Sequence, residues 1–394
     1  MIVEAVRTPL GKGKPGGWLA SVHPVDLLAH SIGAVIDRSG IDPSLIDDVI
    51  GGCVTQVDEQ ASNLTRYAVL AAGLPESVPA TTVDRQCGSS QQAAHFAAQG
   101  VISGAYDVAI ACGVESMSRV PMFSSMTRGV PFSPRLAERY TDPLVPQGIS
   151  AELIAAAWGL SRGRLDEYSY VSHQRATAAH ANGRFVDEVV RIKAEQSDGR
   201  VLEVATDETV RPGTTPEALA ALRPAFQDPA MAARFPQIDW RVTPGNSSPV
   251  NDGSAAVLIT TSEQARELGL TPRARFHSFA VAGDDPIMML TGIIPATAKV
   301  LARAGLTLGD IDAFEVNEAF ASVVLAWQAE TGADPAKVNV NGGAIALGHP
   351  LGASGARLLT TLVNVLEQTG GRFGLQTMCE AGGLANATII ERIG

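Results

Sequence analysis

Ile36-Asp37-Arg38-Ser39-Gly40-Ile41, continuing to Leu45-Ile46-Asp47-Asp48-Val49, has a counterpart far along the chain. It is Leu301-Ala302-Arg303-Ala304-Gly305-Leu306, continuing to Asp310-Ile311-Asp312-Ala313-Phe314. The offset is constant at 305 − 40 = 265 residues, and the Arg, Gly and Asp positions coincide. Each copy reads as the end of a helix, a turn and the start of a strand, so the pair reads as an internal duplication. After each copy come a strand, a turn of small residues and an Ala-rich helix. One turn carries Cys87 and the other His349, and the same register matches the strand ending at Cys112 with the strand ending at Cys379. Two such halves would present their turns to one shared cleft.

Working outward, short apolar runs bounded by Gly, Asp or Asn alternate with Ala-rich amphipathic stretches, which predicts layered α/β structure. The expected strands are Ile2 to Val6, Asp48 to Cys53, Tyr106 to Cys112, Ala255 to Thr260, Ala313 to Val316 and Leu375 to Cys379. The expected helices are Pro24 to Ser39, Ser89 to Ser103, Pro295 to Ala304 and Gly355 to Gln368. Between the halves the texture changes to Pro-, Arg- and Met-containing loops, with helices expected near Ala151 to Trp158 and Asp166 to Asn182. Pro131, Pro134, Pro143 and Pro146 interrupt any long element there. The expected organisation is an N-terminal half over residues 1–119, an inserted loop domain over 120–247 lying on the cleft, and a C-terminal half over 248–394.

Composition excludes several classes. At 394 residues the chain exceeds a single ordinary core, and 45% apolar with 18% charged residues suits a globular protein rather than a disordered one. Thirty basic against 41 acidic side chains give a net charge of −11, with no long Lys/Arg run, so nucleic acid is not an expected partner. The four cysteines, Cys53, Cys87, Cys112 and Cys379, form no CxxC pair and no Cys/His cluster, so no metal site is expected. So few cysteines suit a reducing compartment. No basic-then-apolar leader opens the chain, and no run approaches ~18 apolar residues, which points to a cytoplasmic protein with no membrane partner.

Two segments stand out chemically. In Asp84-Arg85-Gln86-Cys87-Gly88-Ser89-Ser90 a cysteine precedes a helical run, and helix N-terminal N–H groups favour a thiolate there. In Asn339 to Gly355, five glycines surround Gly348-His349-Pro350, a segment through which backbone approaches backbone or ligand closely. Asn317-Glu318-Ala319-Phe320 follows an expected strand, placing an amide at its end. Cys379-Glu380-Ala381-Gly382-Gly383 ends the last long strand in a turn of small residues.

Cys87-Gly88-Ser89, Asn317-Glu318-Ala319-Phe320, Gly348-His349-Pro350 and Cys379, in this order, resemble the fingerprints of the thiolase family. So do Val3-Glu4-Ala5-Val6-Arg7-Thr8-Pro9, Glu115-Ser116-Met117-Ser118-Arg119-Val120-Pro121 and Asn251-Asp252-Gly253. The resemblance covers essentially the whole chain. It implies a duplicated α-β-α-β-α fold and transfer of acyl groups between 3-oxoacyl-CoA and coenzyme A. Coenzyme A is then a substrate, and no cofactor is tightly bound. It further implies Cys87 as the nucleophile, His349 as its base and Cys379 as the second acid/base thiol. Enolate charge would be met by His349 with a water held by Asn317, and the tetrahedral intermediate by the N–H groups of Cys87 and Ala381. One such donor is worth about 3 to 4 kcal/mol. The family usually has Gly where Ala381 stands, but Ala keeps the N–H. By the same resemblance Ser248 meets the pantetheine arm, Phe226 and Phe320 wall the slot, and Arg211 lies near the adenine.

Gln147 departs from the His-Met usual in thiolases acting on acetoacetyl-CoA, which favours a degradative enzyme for bulkier chains, such as sterol side-chain fragments. The alternatives are a condensing acetoacetyl-CoA thiolase, a decarboxylating 3-oxoacyl synthase and a non-catalytic lipid-binding homologue. Cys379 argues against the synthase, which typically carries a second histidine there. Asn317-Glu318-Ala319-Phe320 argues against the last, where a His-based motif is usual. Family resemblance also implies a homodimer or homotetramer.

Overall fold

The computed structural model describes residues 1–129, 131–140, 143–196 and 198–393. The first half runs β1 (Ile2–Arg7), β2 (Gly11–Lys12), α1 (Pro24–Ser39), β3 (Asp48–Gly52), α2 (Leu64–Ala71), β4 (Ala80–Val83), α3 (Ser89–Ser103) and β5 (Val108–Ser116). The middle segment carries α4 (Pro134–Arg139), α5 (Gln147–Ala157), α6 (Arg162–Ala181), the hairpin β6 (Ile192–Glu195) and β7 (Val201–Val204), α7 (Pro216–Ala220) and α8 (Pro229–Arg234). The rest is β8 (Asn251–Thr260), α9 (Ser262–Glu267), β9 (Ala274–Gly283), α10 (Ile293–Ala304), β10 (Ala313–Val316), α11 (Ala321–Thr331), α12 (Ala344–Leu347), α13 (Ser354–Thr369), β11 (Phe373–Glu380) and β12 (Leu384–Arg392).

The strands order as β10-β11-β12-β9-β1-β8-β5-β3-β4, with β2 beside β8. The centre of this path is thin, because β1 and β9 pair only at Ile2 and Ala274. It therefore divides into two sheets of like topology. In one, β4 and β5 flank β3 in parallel, then β8 and β1 follow antiparallel. In the other, β10 lies parallel to β11, with β12 and β9 antiparallel beyond it, and Val338 bridges to Phe314 where the first half has β4. The 265-residue offset carries Asp48 to Ala313, Ser89 to Ser354 and Val108 to Phe373, the first residues of matched elements. Helices α3 and α13 pack on each other between the sheets, while α1 and α10 cover the outer faces. The layering is α-β-α-β-α.

The quoted segments show why the register is so regular. Helix α1 starts where the His23 side chain accepts the Val25 N–H, with Pro24 in its first turn, and stops at Gly40 in the left-handed region (φ 68). Helix α10 stops in the same way at Gly305 (φ 66). Only glycine takes that conformation without a Cβ penalty. The expected bounds of α1, α3 and β10 match the structure, and the others shift by a few residues. Two register readings need correction. Strand β5 continues past Cys112 to Ser116, so position 112 matches 377 rather than Cys379, and the position matching Cys87 is Gly352 rather than His349.

Buried ionic and polar bonds fasten the middle segment to both halves. The fully buried Arg7 of β1 donates from Nε to Glu188 Oε1 at 2.6 Å and from Nη1 and Nη2 to Asp207 at 2.7 and 3.0 Å. Helices α5 and α6 pack on α11, and α6 on α12 as well.

Candidate active site

The turn between β4 and α3 is built from its own polar groups. Asp84 Oδ1 accepts the Gln86 N–H at 2.6 Å, while Ser89 Oγ accepts the Arg85 N–H at 2.9 Å and donates to the Gln86 carbonyl at 2.6 Å. These bonds hold Gln86 at φ 49, a left-handed conformation costing a non-glycine residue about 1–2 kcal/mol, and aim Cys87 inward. Gly88 is the N-cap of α3, so Cys87 lies just outside the helix. It is 4% exposed, packed with Leu351, Leu358 and Met378. Burial pushes its thiol up to about 12, the nearby Glu380 adds to the rise, and a hydrogen bond with the Gln147 side chain opposes it. Burial thus works against the helix-favoured thiolate that the sequence suggests, and a base has to take the proton as the sulfur attacks.

His349 supplies a lone pair for that task. Ser354 Oγ lies 2.8 Å from the Pro350 carbonyl and 2.6 Å from His349 Nδ1, and so holds the imidazole by its Nδ1 edge. At the other edge Asn317 Nδ2, which can only donate, lies 3.3 Å from Nε2 and matches the tautomer with Nε2 unprotonated. Burial lowers the imidazole to about 3, with Arg357 on α13 adding to the effect, so it is neutral at ordinary pH. The backbone is pinned as well. The His349 N–H donates to Asn251 Oδ1 at 3.0 Å, and the Asn251 amide donates to the Gly11 carbonyl at 2.7 Å. Gly348 stands at φ 123 with the Asn251 side chain 2.5 Å from where a Cβ would be, so only glycine fits.

Asn317 follows β10, and its Oδ1 is buried without a protein partner. Its neighbour Glu318 points the other way and braces the Gly-rich segment, accepting from Tyr168 Oη, Ser172 Oγ, Asn339 Nδ2 and the Ile345 N–H at 2.8 to 3.0 Å. Cys379 lies near the end of β11, 1% exposed. Burial raises its thiol well above the ordinary range, and Cys87 raises it further, so a charge on either sulfur opposes one on the other. The β11–β12 turn follows at Ala381, Gly382 (φ 85) and Gly383 (φ 76). Among the described residues, neither the Cys87 N–H nor the Ala381 N–H is taken by a protein acceptor.

The expected acyl-slot residues converge. Phe226 and Phe320 meet edge to face at 6.0 Å between centroids, and Gly148 packs so closely on Phe226 that a Cβ would come to 2.3 Å. That contact brings Gln147, at the start of α5, to the same place. The Ser248 N–H donates to the Ala319 carbonyl at 2.9 Å, beside the Ser247–Phe320 bridge. Arg211 is exposed, its backbone N–H meeting His173 Nδ1 at 3.4 Å, and among the described residues no hydrogen bond or ion pair ties it to the others. Three residues that lie in the quoted segments but were given no role there brace these side chains: Ser354, Asn251 and Glu318. Ser354 had a signal, lying five positions after His349 at the start of a helix. The other two needed the fold.

Family models for the thiolase N-terminal and C-terminal domains match residues 1–263 and 270–392. The steroid 3-ketoacyl-CoA thiolase FadA6 of Mycobacterium tuberculosis is 48% identical, over all of this chain and 94% of its own length. A 3-ketoacyl-CoA thiolase of Pseudoalteromonas translucida is 45% identical, over all of this chain and 98% of its own. Among solved structures, the Bacillus anthracis acetyl-CoA acetyltransferase superposes with a TM-score of 0.88 at 36% identity, and human mitochondrial 3-ketoacyl-CoA thiolase with 0.88 at 35%. Each superposition covers all of this chain and 98% of the other. With a matched duplication in its fold and these fingerprints gathered about its cleft, the chain belongs to the thiolase family.

Proposed function

We propose that this enzyme degrades 3-oxoacyl-CoA by thiolysis, with Cys87 as nucleophile, His349 as its base and Cys379 as the second acid/base. Family membership makes it an acyltransferase that uses coenzyme A as substrate. The observation carrying the assignment is the holding of His349, fixed at Nδ1 by Ser354 with Nε2 turned to Asn317.

Nε2 takes the Cys87 proton as the sulfur attacks the 3-oxo carbon. The bond between C2 and C3 then breaks, leaving an acyl-cysteine, and the departing acetyl-CoA enolate takes a proton from Cys379. The thiolate left at Cys379 deprotonates incoming coenzyme A, whose sulfur takes the acyl group as Cys87 leaves and recovers its proton from His349 Nε2. Once protonated, Nε2–H faces the enolate oxygen, together with a water held by the otherwise unpartnered Asn317 Oδ1. The unoccupied N–H groups of Cys87 and Ala381 serve the tetrahedral intermediate. Ser248, Phe226 and Phe320 hold the pantetheine arm, Arg211 the adenine end, and Gln147 the acyl chain.

Gln147 and the likeness to a steroid thiolase support bulky or branched chains. The edge strand β4 and the exposed Met122, Phe123, Met126 and Phe132 support assembly with further copies as a homodimer or homotetramer. No helix among the described residues is long and apolar enough to cross a membrane, and we take the enzyme to act in the cytoplasm. Steady-state rates over a panel from acetoacetyl-CoA to long and branched 3-oxoacyl-CoAs test the substrate. Higher kcat/KM on the longer members is expected, and a strong preference for acetoacetyl-CoA overturns the degradative reading. Cys87→Ala is expected to abolish thiolysis; activity surviving it overturns the mechanism.

A further inference from the structure

Glu115 and Glu380 occupy the same position in the two halves, since 115 + 265 = 380. Both lie at the ends of matched strands, β5 and β11, and neither is exposed. Their surroundings differ. Glu115 accepts the backbone N–H groups of Val54, Thr55 and Gly352 at 3.0, 3.0 and 2.8 Å, and the Gln60 amide at 2.9 Å. Gly352 is the position that matches Cys87. By the same symmetry Glu380 faces the Cys87 turn, yet it does not take the Cys87 N–H.

Its carboxyl instead lies on Gly88, so close that a Cβ there would stand 1.8 Å from Oε1. Among the described residues Oε2 has no hydrogen-bond partner, and Oε1 has only the Asn386 amide, at 3.2 Å once that amide is turned to face it. The charged and titratable groups around it are Arg85, Asp84 and Cys87 in the turn before α3 and Cys379 on its own strand; Asn386 on β12 is neutral. Burial raises this carboxyl well above the usual range, Arg85 opposing and Asp84 reinforcing. The first turn of α3, fifteen residues long, begins at the atoms this carboxyl touches. A neutral carboxyl leaves the positive helix end to a thiolate on Cys87, whereas an ionised one cancels it.

We propose that Glu380 is a positioning residue that works uncharged: packed on Gly88 it leaves the α3 terminus and the Cys87 N–H to the reaction, and losing its proton suppresses the nucleophile. The proposal rests on Cys87 being that nucleophile. It is tested by the rate of Cys87 alkylation with iodoacetamide against pH, followed by peptide mass, in the wild type, Glu380→Gln and Glu380→Met. Both variants remove the charge, and Met keeps the packing without hydrogen bonds. The alkylation midpoint is expected to fall by about one pH unit in each. The wild-type profile is expected to rise less steeply than a single ionisation, because two groups titrate together. A structural role would alter kcat or Tm and leave the midpoint in place. A midpoint unchanged in whichever variant folds, or a wild-type profile fitting one ionisation, overturns the proposal. Activity surviving Cys87→Ala would instead remove the nucleophile itself, and that result is read separately.

Discussion

At the scale of single residues, the chemistry of the cleft depends on where a few hydrogens go. Ser354 holds the Nδ1 edge of His349, which turns Nε2 to Asn317. Ser354→Ala frees the imidazole to take the other tautomer, in which Nε2 carries the proton. We expect kcat/KM to fall about 10- to 100-fold, part of the ~10²–10⁴ that a positioned base contributes, while KM for coenzyme A holds. A variant within twofold of wild type would show that the tautomer is set elsewhere. His349 stays neutral down to about 3, so the acid limb of the wild-type pH profile should come from other groups. Cys87, His349, Cys379 and Asn317 stood out in the sequence because cysteines, glycines and histidine in that order are rarely assembled by chance. The raised thiol of Cys87 was not legible. The neighbours that bury it, Leu351, Leu358 and Met378, stand more than 260 positions away in sequence, and a helix start read alone suggests the opposite sign.

At the scale of elements, the two copies end α1 and α10 on glycines in one conformation, Gly40 at φ 68 and Gly305 at φ 66, with open space around both. Alanine at either site meets no clash, so its whole cost is the left-handed backbone. Gly40→Ala and Gly305→Ala should each lower stability by about 1 kcal/mol in denaturant unfolding, and the double variant should lose the sum, the sites being far apart. Unequal costs would mean that one cap has drifted from the other. This level was the most legible, since Pro24, Gly40, Gly104 and Gly305 punctuate the helices in the sequence itself. What the offset concealed was a slip of three residues: it matches Cys87 with Gly352, while His349 arrives earlier, in a stretch that the first half uses for Asp84. The halves kept their elements and diverged within their turns.

At the scale of the whole molecule, the middle segment is fastened by Arg7, which meets Glu188 and Asp207 with all three side chains fully buried. Arg7→Met leaves two buried acids facing each other. We expect it to cost about 3–5 kcal/mol, read as a lower denaturant midpoint. A loss under about 1 kcal/mol would mean that the acids protonate or rehydrate freely. None of this was legible, because an arginine next to a strand gives no sign of partners some 200 positions away. The place of β1 was equally hidden. It lies along β8 and touches β9 at Ala274, so apart from the Arg7–Val189 bridge this strand has its hydrogen-bonding neighbours at residues 255–259 and beyond. At about 5–20 residues per second on the ribosome, Ile2–Arg7 emerges some 12 to 50 seconds before the strand it lies along is made. Until then an apolar strand stands with its N–H and C=O groups unpaired, which makes nascent chains of this protein natural clients for a holding chaperone.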